Sequence, residues 1–184
     1  MVLNPIHDVS IGAQAPAIVN AIVEIPKDSK IKYEIDKETG LLKLDRYLFS
    51  AVHYPGDYGF IPRTLWMDGD PLDVFIITHR ETYPLTLCEV KPIGVIRMTD
   101  EAEQDDKIIA VHAKDPRYSE WDCIADVPQH FLKELHVFLE SYKELEGKKV
   151  KVFEILDKAE AFADIEKAQK LYAIDRRDKD LSKK

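Results

Sequence analysis

Apolar and polar positions change period along this chain, and the changes mark its elements. Val19-Asn20-Ala21-Ile22-Val23-Glu24-Ile25 is mostly apolar and stops at Pro26, which predicts a strand. Ile31-Lys32-Tyr33-Glu34-Ile35-Asp36 alternates cleanly: Ile31, Tyr33 and Ile35 share one face, Lys32, Glu34 and Asp36 the other. A turn at Glu38-Thr39-Gly40 leads into its hairpin partner, Leu41 to Leu48. Residues 53–65 are rich in Tyr, Pro and Gly and predict an ordered loop; strands are predicted over 73–78, 87–98 and 107–112. Phe131, Leu132, Leu135, Phe138, Leu139, Tyr142 and Leu145 recur at helical spacing and predict a helix over 130–145. A late strand over 150–154 and a second amphipathic helix over 158–173 follow. The first 18 residues are expected to be irregular or a short helix, and the charged tail, 175–184, to be frayed. Many short strands and then two helices predict a mainly β, α+β fold with helices packed outside the sheet.

The chain has 184 residues, the size of one domain, with a formal net charge of −8. An acidic surface argues against a nucleic-acid or anionic-membrane partner. It leaves a small phosphate substrate open, because bound cations would reverse the local field. Cys88 and Cys123 form no CxxC and are expected to act as small buried hydrophobes. No basic leader and no long apolar run is present, so the cytoplasm is the expected compartment.

Three carboxylates fall within six residues, in Asp68-Gly69-Asp70-Pro71-Leu72-Asp73, directly before the apolar run Val74-Phe75-Ile76-Ile77. Like charges this close repel strongly unless cations compensate. Hard divalent metals want such oxygen ligands. Gly69 and Pro71 make the segment a turn, so its carboxylates can converge. An EF-hand reading fails, because Asp73 stands where the loop needs Gly and His79 where it needs Glu. A phosphoryl-accepting Asp of the haloacid-dehalogenase type also matches poorly, since Leu72 follows Pro71.

Other segments join this cluster in a fixed order: Ile22-Val23-Glu24-Ile25-Pro26, Ile31 to Asp36, Asp45-Arg46, Tyr54-Pro55-Gly56-Asp57-Tyr58-Gly59, Met98-Thr99-Asp100-Glu101 leading to Asp105-Asp106-Lys107, and Tyr142-Lys143-Glu144-Leu145-Glu146. Together they resemble the family I soluble inorganic pyrophosphatases of prokaryotic type, over most of the chain from about Asn20 to Val152. The resemblance implies an OB-like, five-stranded barrel flanked by helices, and Mg²⁺-dependent hydrolysis of pyrophosphate to two orthophosphates by direct attack of a metal-activated water. It implies metal ligation by Asp68, Asp73, Asp100 and Asp105, with Glu24 and Glu34 toward an additional, substrate-borne metal. Asp70 would be the general base. Lys32, Arg46, Tyr58, Lys107, Tyr142 and Lys143 match positions that hold substrate or product. It also implies a homo-oligomer, a hexamer.

Glu101, Glu103 and Asp106 are expected to be solvated, and the six histidines form no metal-ligand spacing. Two departures stand out. Asp57 occupies a position where many bacterial relatives have Asn. Val137 and Ser141 replace histidines that some relatives place at an interface. A non-catalytic Ca²⁺-binding module would also use the acidic turn, but it has no use for Lys32, Arg46, Tyr58 and Lys107 together.

Overall fold

β1 (Val19–Ile25) is buried at every position but one, as a strand enclosed on both faces must be. It pairs antiparallel with β4 (Asp57–Phe60) on one side and with β6 (Leu87–Asp100) on the other. β4 continues antiparallel to β5 (Asp73–Ile77), β5 runs parallel to β8 (Lys107–His112), and β8 returns antiparallel to β6. These five strands therefore close a ring, the barrel that the sequence resemblance implied. β7 (Glu103–Gln104) and β9 (Val150–Asp157) extend the sheet from β6. The computed structural model describes residues 4–181.

The 14-residue β6 must bend to serve β1, β8 and β9. Pro92 lacks an N–H, and the β6–β8 register shifts between Pro92 and Gly94, so the irregularity falls where the ladder is already interrupted. A Cβ on Gly94 would meet Leu156 O at 2.7 Å, so only glycine lets β9 lie this close.

β2 (Ile31–Ile35) and β3 (Leu42–Tyr47) form a separate hairpin that pairs with no strand of the ring. The predicted strands are present, with ends moved by a few residues. β4 is a correction: it lies inside the expected loop, 53–65. Gly59 explains it. A Cβ there would sit 1.9 Å from Ile22 O, so this glycine serves close strand approach, not a turn.

α1 (Pro5–Asp8) is a single turn capped by the Asn4 side chain; residues 1–3 lie outside the described residues. α2 (Gln129–Ser141) buries Leu132, Leu135, Phe138 and Leu139 against the barrel, and Leu145 falls beyond it, exposed. α3 (Lys158–Leu181) is longer than the helix expected over 158–173 and runs past residue 175 through charged residues. Lys179 and Asp175 pair at i,i+4 (2.8 Å) there. Residues 182–184 of that tail lie outside the described residues. Among the described residues, no helix is long and apolar enough to cross a membrane.

Asp106, expected to be solvated, is buried. It accepts from Arg97 (2.7 Å), Gln104 (2.6 Å) and the Met98 N–H (3.0 Å), and Arg97 reaches on to Asp164 of α3. This carboxylate fixes α3 to β6, well away from any solvent role. Cys88 is buried as expected, but Cys123 is only half-buried.

Asp57 is fully buried at the start of β4. Its Oδ1 accepts the N–H groups of Lys27 (2.7 Å) and Thr82 (3.2 Å), and its Oδ2 lies 3.9 Å from His112 Nε2. Asp57, together with the Cys88 thiol, pushes the His112 pKa up to about 9. The imidazolium is favoured in the folded state, so its stabilisation is complete below the unfolded value of about 6.5 and is lost as pH rises through about 9. The imidazole is partly open to water, so screening cuts the gain to about 1–2 kcal/mol. We expect stability to fall between pH 7 and 10, and Asp57→Asn to flatten that fall. Chemical denaturation across this range checks it; equal pH slopes in the two proteins would remove the pairing from the account.

Candidate active site

The acidic turn is built before the barrel strand it opens. Gly69 has φ +85°, which side-chain-bearing residues rarely adopt, and nothing crowds it, so glycine is needed here for backbone shape alone. Asp68 Oδ1 accepts the Asp70 N–H (3.0 Å), and the Trp66 N–H bonds Asp70 O (2.7 Å). These bonds aim Asp68 and Asp70 into a cavity of about 540 Å³ at the end of the ring. Asp73 enters from the first residue of β5, directly opposite Lys107, the first residue of its parallel neighbour β8.

A second tight turn supplies the facing carboxylates. Glu101 and Ala102 both have positive φ (47° and 76°) between β6 and β7. Two non-glycine residues in this conformation are strained, and the turn places Asp100 and Asp105 on the same wall. Glu24 enters from β1, Tyr58 from β4, and Lys32 and Glu34 from the hairpin above; Tyr142 follows the end of α2. The cavity thus gathers Glu24, Lys32, Glu34, Tyr58, Asp68, Asp70, Asp73, Asp100, Asp105, Lys107 and Tyr142.

Arg46 and Lys143 do not line it. Lys143 stands behind the wall and pairs with Asp100. Arg46 is tied to Glu146 (2.9 Å) and Asp45 (2.6 Å), with Nη2 buried and unpartnered.

Lysines neutralise the carboxylates. Lys107 is buried and pairs with Asp73 (2.6 Å) and Asp105; Tyr58 also donates to Asp73. These anions hold the Lys107 pKa above the ordinary lysine value despite burial. Lys32 reaches Asp45 (3.1 Å) and Glu34 (3.5 Å). Lys37, in the turn after β2, pairs with Asp70. Sequence reasoning missed Lys37, Asp45 and Glu146; a lysine in a hairpin turn, or an acidic residue 100 positions from Arg46, carries no local signal.

The phenols are held in a chain of aromatic contacts, tilted at Tyr54 and stacked between Phe138 and Tyr142. Tyr54 lies against Tyr58 (5.7 Å) and Phe138 (4.9 Å), and Phe138 against Tyr142 (5.4 Å). Burial, reinforced by Asp73 for Tyr58 and by Asp100 for Tyr142, raises both phenol pKa values well above 10. Both hydroxyls are therefore fixed proton donors at neutral pH.

The acidic floor carries the signs of a cation site. Burial, then repulsion from Asp73, pushes Glu24 up to about 8. Burial also raises Asp68 and Asp105, the latter against the pull of Lys107. Asp100 Oδ1 is buried with no hydrogen-bond partner. An all-oxygen donor set of this kind fits a hard cation such as Mg²⁺. In the present arrangement the carboxylates engage lysines, and among the described residues no three such side chains yet stand together as a metal cage.

A barrel whose end gathers many carboxylates, a few lysines and buried phenols has the kinds of groups that a phosphoanhydride hydrolase uses. Comparison with known proteins makes this specific. The family model described as inorganic pyrophosphatase matches residues 21–173. The chain is 48% identical over 169 residues to the soluble inorganic pyrophosphatase of Oryza sativa subsp. indica, covering 92% of this chain and 79% of that one. It superimposes on the inorganic pyrophosphatase of Thermus thermophilus with a TM-score of 0.90 at 39% identity, covering 93% of this chain and 99% of that one. The corresponding values for the Helicobacter pylori enzyme are 0.86, 38%, 90% and 98%. The chain belongs to the inorganic pyrophosphatase family.

Proposed function

We propose that this chain hydrolyses inorganic pyrophosphate to two orthophosphates, with Mg²⁺, by direct attack of water and without a phosphoenzyme. The observation that carries the reading is one cavity lined by nine carboxylates, seven of them those named above, beside Lys32, Lys107, Tyr58 and Tyr142. Asp68, Asp73, Asp100 and Asp105 would hold Mg²⁺, and Glu24 and Glu34 an additional ion that arrives with the substrate. When bound, Mg²⁺ supplies a water of lowered pKa and offsets the charge of the phosphate oxygens.

The chain's own groups do the rest. Asp70, at the rim of the acidic turn, takes or orients the proton of the attacking water. Lys107 and Lys32 pair with the anion. Tyr58 and Tyr142, kept protonated by burial, donate hydrogen bonds to phosphate oxygens. Arg46 and Lys143 support from behind the wall, and the buried Arg46 Nη2, with no hydrogen-bond partner among the described residues, would reach a phosphate oxygen only once the side chain shifts toward the cavity.

The test is phosphate release from pyrophosphate with and without Mg²⁺. Release that needs Mg²⁺ supports the reading; metal binding with no release would favour a non-catalytic module. A cytoplasmic homohexamer is part of the same proposal. It is supported by the near-complete overlap with short bacterial chains and by exposed apolar side chains such as Val137 and Phe153. Sedimentation of the purified protein checks the assembly.

Arg46 sharpens the substrate map. Arg46→Ala is expected to lower kcat/KM for pyrophosphate by about tenfold or more, and Arg46→Lys to restore only part, because a point charge cannot reproduce a planar fork. Wild-type kinetics in Arg46→Ala would make Arg46 a structural link between β3 and Glu146.

A further inference from the structure

Lys37 has no place in the reaction as the resemblance describes it, yet its ammonium crosses the cavity mouth to Asp70. Its position is set from two sides. Its carbonyl accepts Asn4 Nδ2 (3.3 Å), and it stands in the turn that joins β2 to β3. Among the described residues, Asp70 has no other ion-pair partner.

The hairpin is held by the packing of Ile35 and Leu42 beside Ile22 and Phe60, and of Tyr33 on the main core, together with side-chain ties in place of strand pairing. It pairs with no ring strand. Four polar ties among the described residues hold it to the body: the Ile35 N–H on Glu24 (2.8 Å), Arg46 on Glu146 (2.9 Å), Asn4 Nδ2 on the Lys37 carbonyl (3.3 Å) and Lys37 on Asp70. Two of the four end on carboxylates of the proposed reaction: Glu24, assigned to the additional ion, and Asp70, assigned to the attacking water. The hairpin and that ion therefore share Glu24, and the Lys37 charge stands at the mouth of the cation site. The ammonium on Asp70 also occupies one of that carboxylate's acceptor sites and holds its orientation.

We propose that Lys37 is a positioning residue for the reaction: its ammonium holds Asp70 and latches the β2–β3 hairpin over the acidic turn, and it must yield before Asp70 can act. The inference rests on the pyrophosphatase reading for the role of Asp70, but the latch is measurable without substrate. Repulsion between the incoming cation and the ammonium at the cavity mouth is an added cost of cation binding. Both partners are largely exposed, so the cost is small, of the order of a surface ion pair.

The test is calorimetric titration of the full-length, metal-free protein with Mg²⁺ alone, joined to hydrogen exchange over residues 31–47. Lys37→Met keeps the stem and removes the charge; Lys37→Arg keeps the charge. Lys114→Met, distant from the cavity, controls for net charge. We expect Lys37→Met to bind Mg²⁺ about 2–5-fold more tightly and to exchange faster across the hairpin in the metal-free state. Lys37→Arg and Lys114→Met should behave as wild type in both. Unchanged affinity in Lys37→Met, an equal gain in Lys114→Met, or unchanged hairpin exchange overturns the latch. Failure of the wild type to release phosphate from pyrophosphate, with these shifts present, sinks the enzymatic reading and leaves the latch standing.

Discussion

Asp70→Asn is expected to lower turnover at neutral pH by about 10²-fold or more, the usual worth of a general base. The substitution is nearly isosteric, and the turn does not depend on the lost charge. The Asp70 N–H still bonds Asp68 Oδ1, and its carbonyl still accepts from Trp66. Stability should therefore change by no more than about 0.5 kcal/mol. Asp73→Asn is the contrasting case, because it weakens the shared anchor of Lys107 and Tyr58. It should weaken Mg²⁺ binding more than Asp70→Asn does. Steady-state kinetics and metal titration on both variants separate the roles. Near-normal turnover in Asp70→Asn would remove this residue from proton transfer.

Gly59→Ala should destabilise the protein by about 3 kcal/mol or more, at or beyond the upper end for an overpacked core. The added methyl would meet Ile22 O at 1.9 Å and the Val23 Cα at 2.9 Å, both backbone atoms of buried β1. No flexible side chain is available to move aside. β1 must separate from β4, which opens the ring on the strand that carries Tyr58. Gly69→Ala is the control: nothing lies within 4 Å, and only the positive φ is violated, at about 1–2 kcal/mol. Denaturant midpoints rank the two. A Gly59→Ala protein as stable as wild type would contradict the β1–β4 contact.

The elements legible in the sequence are those whose burial follows a simple period. β2 alternates because one face meets protein and the other carries Lys32 and Glu34; α2 shows its stripe because one side packs on the barrel. β4 was hidden because Gly59 serves strand approach while looking like a turn residue. The end of α3 was hidden because charged residues that support one another along a helix look the same as a solvated tail. Ring closure cannot be read from periodicity at all: Val19 meets Val90 and Asp73 meets Lys107 through pairings distant in sequence, and only the family resemblance implied them.

The candidate site divides the same way. Its carboxylates were visible as a dense local cluster. Their partners were not, since an ion pair such as Lys143 with Asp100 spans 43 positions, and Asp106 looks solvated until the fold brings Arg97 to it.

The in-register meeting of Asp73 and Lys107 has a consequence for how this protein is monitored. β5 and β8 are parallel, so the chain must travel round the ring through β6 before the two residues face each other. A slip of one residue would turn Lys107 out of the cavity, because strand side chains alternate between faces. Secondary-structure content would barely register such an error. Recovery of phosphate release during refolding would, under the proposed activity, count only molecules whose barrel closed in the correct register, making turnover a proofreading signal for topology.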